Sequence, residues 1–250
     1  MQFKFATSIA LIVVVVGIAL AWRSTSTGLQ SREQANIKVV INQLPPRDGV
    51  VPLEIIQPTI VSSAPNKLDD LRYILRNNSG KAVIAAAVIR TITYEEGGKN
   101  YADSVYSTMD GAFHPDLAAK PFVAWNQMPM EAPGPVSFGE SVIIKEITLT
   151  VDYASYADQT ADGSGGEGER RINAMREGAR RYKSWLAQQY SRAGKSLASI
   201  LPLIQAPRIP EELKLNLDQT MGADRYRLHL LSTFQKKGAA DVESYLKHTK

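Results

Sequence analysis

Residues 158–169 read DQTADGSGGEGE, which as a twelve-residue loop puts Asp158 at position 1, Thr160 at 3, Asp162 at 5, Gly163 at 6 and Glu169 at 12. Calcium chemistry asks for this pattern: hard oxygen ligands at short fixed intervals, a glycine for the sharp turn, and a carboxylate to close the shell. Two features oppose it. Position 8, where an aliphatic side chain docks such a loop, is Gly165, and the residues before Asp158 read as a strand rather than an entering helix. The plain alternative is an acidic, Gly-rich hinge over 158–168. Its Glu167 and Glu169 would then stand in the first turn of the next helix, where free N–H groups and the dipole favour carboxylates. The hinge is the expectation, with no cofactor, and Asp158, Thr160, Asp162 and Glu169 are the ligands to test if calcium binds.

A second constellation is basic. On a helix, Arg176, Arg180 and Lys183 fall within roughly 60° of one another. Such a strip suits an anionic polymer or lipid head groups. The rival reading is a solvated face, with Glu177 pairing Arg181 one turn on. Residues 37–157 carry 10 Lys and Arg against 13 Asp and Glu, net −3, whereas 168–250 carry 16 against 8, net +8. The basic excess therefore belongs to the C-terminal part, but the strip itself has no interleaved aromatics and an export signal would remove the chain from nucleic acid, so nucleic acid is not the expected partner.

Catalysis finds little footing. The three histidines, His114, His229 and His248, have no second ligand at metal-binding spacing, and there is no cysteine. No nucleophile-elbow, phosphate-loop or dinucleotide fingerprint occurs. No catalytic residue is expected, and Trp125 and Trp185 read as core or interface residues.

The elements that must position these groups begin with Phe5–Trp22, 18 residues without a charge, flanked by Lys4 and Arg23. As a helix this spans roughly 27 Å, close to the hydrocarbon thickness of a bilayer. The expectation is a membrane anchor over 1–23, with the bulk of the chain outside the cytoplasm. The alternative is a secreted protein cleaved near Ala21, where Ala19-Leu20-Ala21 offers a small-x-small site. Residues 24–36 are polar and aperiodic, and read as a tether.

Beyond the tether, alternation predicts strands over 37–44, 50–60, 71–76, 82–94, 101–108 and 141–157. Leu71, Tyr73 and Leu75 share one face, as do Ile147, Leu149, Val151 and Tyr153. Residues 114–135 hold five prolines and read as a surface excursion. The period then turns helical: Ile172, Met175, Ala179, Tyr182, Leu186 and Gln189 stripe one helix over 169–190. Further helices are predicted over 196–204, 222–237 and 240–247, that over 222–237 stopped by Gly238.

The link Asn77-Asn78-Ser79-Gly80-Lys81 is turn chemistry. With its flanking strands, over Leu71–Arg90, it resembles a segment of bacterial immunoglobulin-like domains of cell-surface and envelope proteins. The resemblance implies a β-sandwich and attaches no ligand to it. The reading is thus an α+β chain: an N-terminal transmembrane helix, an immunoglobulin-like antiparallel sandwich over 37–157, and an α-helical region over 169–250. The expected function is a non-catalytic, envelope-anchored binding or scaffolding protein whose partner is another envelope protein or an anionic polymer. The alternative is an extracytoplasmic hydrolase with an acidic site, Asp158 and Asp162, at the domain junction.

Overall fold

Alternation turns into strands where one side of each residue pair finds a core. A computed structural model describes residues 37–123, 127–131 and 134–247. Among these, ten strands run in order: β1 (Lys38–Asn42), β2 (Leu53–Val61), β3 (Lys67–Leu68), β4 (Asp70–Asn77), β5 (Val83–Glu96), β6 (Lys99–Asp110), β7 (Gln127–Glu131), β8 (Val136–Ser137), β9 (Val142–Tyr156) and β10 (Ala161–Asp162). One sheet has the order β1-β9-β5-β6, with β10 also on β9; a second has β2-β4-β7; β3 and β8 form a short ladder. Pairing is antiparallel except for β1 on β9, which is parallel. Leu53, Ile55, Leu71, Tyr73 and Leu75 from the smaller sheet meet Val88, Ile92, Ile147, Leu149 and Val151 from the larger, forming the apolar core. Burying such a side chain is worth about 1.5–3 kcal/mol. The Asn77–Lys81 link carries the chain from one sheet to the other, with Gly80 at φ 71°.

Four helices follow among the described residues: α1 (Glu167–Arg192), α2 (Leu197–Gln205), α3 (Leu217–Lys237) and α4 (Ala239–Lys247). The stripe on α1 is buried as its spacing demands, with Ile172, Met175, Ala179, Tyr182 and Leu186 all closed from solvent. Tyr190 takes the place expected for Gln189. The α3 helix starts earlier than expected because Asn216 and Gln219 form a capping box, each side chain satisfying the other's backbone N–H at 2.9 and 3.0 Å. The helices bury their own core around Tyr182, Leu186, Ile200, Ile204, Tyr226 and Leu230.

Two expectations need correction. Residues 114–135 are not merely an excursion: Met128 and Met130 of β7 pack on the sandwich core, and Val123 bridges to Val83. Pro129 hid the strand, yet it is tolerated because β7 is an edge. Nor does Tyr153 share a face with Val151. The register skips from Val88↔Val151 to Ala87↔Tyr153, leaving Asp152 as an extra residue. That bulge turns Tyr153 to the outer face, beside Ala85 and Ala87, and Ala154 and Tyr156 inward. Among the described residues no helix is long and apolar enough to cross a membrane. The anchor at 5–22, the tether, Trp125 and His248 lie outside the described residues.

Candidate functional site at the sheet–helix junction

The bulge builds the junction. Its Asp152 accepts a hydrogen bond from the N–H of Gly168 at 2.6 Å, seating the first turn of α1 on the sheet. A side chain at Gly168 would lie 2.6 Å from Cβ of Ala87, so only glycine lets the helix approach this closely. One turn on, Ile172 covers Ala85, Ala87 and Tyr153. Small residues on β5 and a glycine on α1 thus convert an outer sheet face into a second buried interface.

Beside this seat lies an open groove of about 660 Å³. Ile84, Ala112, Ala119 and Pro121 give it an apolar wall, and Tyr153, Ser155, Gln159, Thr160, Glu169 and Arg176 bring polar groups to it. Arg176 is not free to wander. Its Nε and Nη2 donate to the two carboxylate oxygens of Asp110 at 2.7 and 2.6 Å, the fork geometry that suits a guanidinium. Asp110 is only 4% exposed at its side chain, at the end of β6, and its Oδ1 also accepts from the Ala112 N–H at 2.9 Å. The hydrogen bonds it donates to Asp110 raise the Arg176 pKa above its ordinary value, so the guanidinium stays charged. Burial raises the Tyr153 hydroxyl, opposed by a hydrogen bond from Ser155. Glu169 accepts from the Gly165 N–H at 2.6 Å, which fixes its carboxylate near the groove. The groove therefore combines a fixed donor, a fixed acceptor and an apolar wall, the composition of a recognition site.

A second polar cluster holds the helices to the segment after β6. Asp116 accepts from both Lys183 on α1 and the Tyr226 hydroxyl on α3. Burial drives the Tyr226 pKa up, with the hydrogen bond to Asp116 adding to it. Next to it His114 and His229 lie ring to ring, centroids 4.0 Å apart. Burial, then the neighbouring His229, pushes His114 down to about 4, and burial lowers His229 as well. His114 Nδ1 and His229 Nε2 are closed from solvent without a hydrogen bond.

The residues singled out by sequence are dispersed among these features. Asp158 pairs with Lys81 at 2.8 Å and accepts from the Thr160 N–H and hydroxyl at 3.1 and 2.6 Å. The Lys81 bond holds its carboxyl down to about 2. Asp162 accepts from the Tyr156 hydroxyl at 2.8 Å and faces Arg47 at 3.6 Å, lining a different cavity of about 350 Å³. Of the four calcium candidates, Thr160 and Glu169 reach the groove. Among the described residues no three His, Cys, Asp or Glu side chains are grouped to hold a metal ion. In place of a free hinge, 158–168 is tied down by β10, Lys81, Tyr156 and Asp152. The basic strip also divides: Arg176 and Lys183 turn inward to Asp110 and Asp116, while Arg180 is 59% exposed and meets Glu177 at 3.5 Å.

Asp110, Asp116 and Tyr153 were not legible as site residues. Each depends on a partner more than sixty positions away or on the bulge, and no local spacing encodes that. No family model, curated protein or solved structure matches the chain.

Proposed function

We propose that the chain is a non-catalytic binding or scaffolding protein of the cell envelope. In this reading residues 5–22 anchor it in a membrane, or direct its secretion with cleavage near Ala21. The β half is then an immunoglobulin-like sandwich lying outside the cytoplasm, and the ligand site is the sheet–helix groove. The observation that carries the binding role is Arg176, a guanidinium fixed by a nearly buried Asp110 on the wall of a groove of about 660 Å³, with Glu169 beside it. A donor and an acceptor held rigid against an apolar wall lower the ordering cost of binding. They suit an extended segment of another envelope component, one that offers both a carbonyl or carboxylate and an N–H or ammonium group. The hydrolase reading through Asp158 and Asp162 draws less support, because each carboxylate is engaged by its own cation and hydroxyl.

The test uses the full chain in its own membranes, with a photo-cross-linking residue replacing Gln159 at the groove or Gln188 on the exposed side of α1. A discrete cross-linked species from the first position, weakened by Arg176→Met and missing from the second, supports the proposal. No species, or the same species from both positions, counts against it.

A further inference from the structure

Among the described residues β6 is the outer edge of the larger sheet. It pairs with β5 through twelve consecutive residues, Glu96↔Lys99 to Ala85↔Asp110, with no register shift. It contains no proline, and Lys99–Val105 are exposed on both faces of the strand. Natural edges are blunted by bulges, prolines or shortness, since a long flat edge is a template for another strand. β7, the edge of the other sheet, is five residues long and carries Pro129. β6 has none of these protections. Its exposed half carries only two charges, Lys99 and Asp103, and it presents Tyr101 at 44% and Val105 at 40% exposure.

The hairpin turn sets which backbone groups are available. Gly97 and Gly98, at φ 58° and 76°, make a two-residue loop between Glu96 and Lys99. Such a loop closes on a hydrogen-bonded pair, and the pattern alternates from there. Lys99, Tyr101, Asp103 and Val105 therefore bond to β5, and the N–H and C=O groups of Asn100, Ala102 and Ser104 point away from the sheet.

We propose that this edge joins the same edge of a second copy of this chain, antiparallel, with the two-fold axis at Tyr101. Asn100 and Ala102 then exchange backbone hydrogen bonds between the copies. Lys99 of each copy stands opposite Asp103 of the other. The charges argue for a second copy as the occupant: they are of opposite sign and lie two positions either side of Tyr101, so a two-fold axis there turns both into ion pairs. These are non-hydrogen-bonded positions, where facing side chains come closest. Tyr101 already stacks on Tyr94, centroids 5.6 Å apart, so the pairing extends an aromatic row across the axis. An axis at Val105 would place Asp103 opposite Ser107 and form no ion pair.

The absence of native cysteine makes the register directly readable. In the full chain, purified in a neutral detergent, Tyr101→Cys should form a disulfide-linked dimer on mild oxidation, whereas Gln188→Cys should not. By sedimentation, Ser104→Pro should shift the dimer to monomer, because it removes an outward N–H while leaving the backbone bonds to β5 in place; of the contacts with β5 it takes away only the Ser104–Thr91 hydroxyl bond at 2.8 Å. Lys99→Asp or Asp103→Lys alone should weaken the dimer by roughly tenfold or more, and the double exchange should restore it. A monomeric wild type overturns the proposal. So does a dimer indifferent to Ser104→Pro and to the single charge reversals, and so does a strand of another protein captured at Ala102. Cross-linking at Val105→Cys in preference to Tyr101→Cys overturns the register.

Discussion

Gly178 of α1 and Gly222 of α3 occupy the point where the two helices cross. A Cβ on Gly178 would stand 1.9 Å from the carbonyl oxygen of Gln219, and one on Gly222 would stand 1.9 Å from that of Met175. Backbone meets backbone here, so neither neighbour has a side chain to move aside. Gly178→Ala or Gly222→Ala should force the helices apart and cost about 3 kcal/mol or more, despite the higher helix propensity of alanine. Urea unfolding measures it, with Gly139→Ala, where nothing lies within 4 Å, as the near-neutral control. A loss below about 0.5 kcal/mol at both crossing sites would contradict the close packing.

The Asp110–Arg176 pair should show the asymmetry of a largely desolvated ion pair. Asp110→Asn leaves the Arg176 guanidinium, 24% exposed, without its counter-charge and should cost about 3 kcal/mol. Asp110→Leu with Arg176→Met should cost less than Asp110→Asn alone, because no charge is then stranded. Arg180→Ala, which breaks only an exposed contact with Glu177, should stay within about 0.5 kcal/mol. Equal losses in all three would mean that burial does not set the energy of this pair.

The His114–His229 pair, its rings tilted at 41°, predicts an acid-sensitive fold. His114 is pushed down to about 4 by burial, with His229 adding to it and Asp116 and Asp110 opposing, while Lys237 also lowers His229. Lys183 and Tyr226 complete the setting through their bonds to Asp116. The unfolded chain binds protons near the ordinary histidine value of about 6.5, before the folded chain does. Stability is thus complete above about 6.5 and falls as pH drops towards 4. Discounted for a partly exposed ring, His114 should contribute on the order of 1 kcal/mol to that loss. His114→Phe should flatten the pH dependence of the urea midpoint between 6.5 and 4, and an unchanged slope would remove His114 as its source.

Glu169 offers a separation of metal from structural roles. Its carboxylate accepts the Gly165 N–H at 2.6 Å, a local bond worth about 1 kcal/mol. Glu169→Ala should lower the melting temperature by the same amount in millimolar calcium and in chelator. A wild-type shift of several degrees in calcium, lost on this substitution, would restore the calcium loop.

Reading the chain from its residues located what is local and periodic. Leu71, Tyr73 and Leu75 alternate and are buried together; Ile172 to Leu186 stripe a helix and are buried together. What it missed has three physical causes. A bulge at Asp152 flips Tyr153 to the helix side, and no propensity marks an inserted residue within a continuous apolar alternation. Arg176 and Lys183 look like a solvated strip because Asp110 and Asp116, which neutralise them, lie 66 and 67 residues earlier. Met128 and Met130 were obscured by Pro129, a residue that reads as loop until the strand is known to be an edge. The groove inherits the first two omissions, through Tyr153 and through Asp110 behind Arg176, so only Thr160, Glu169 and Arg176 could be named in advance.

The parallel pairing of β1 with β9 bears on how the molecule carries force. Its five pairs run from Lys38↔Glu146 to Asn42↔Thr150, reinforced by a Lys38–Glu146 ion pair at 2.6 Å and an Asn42–Thr150 side-chain bond at 3.2 Å. Because the strands point the same way, tension entering at residue 37 and resisted at the helices beyond β9 pulls them past each other lengthwise. All five pairs then share the load at once instead of opening one after another. An antiparallel β1 would present its end pair first and unzip. The sheet is thereby built as a shear joint between whatever precedes residue 37 and the groove, and a tug on one reaches the other without peeling the sandwich apart.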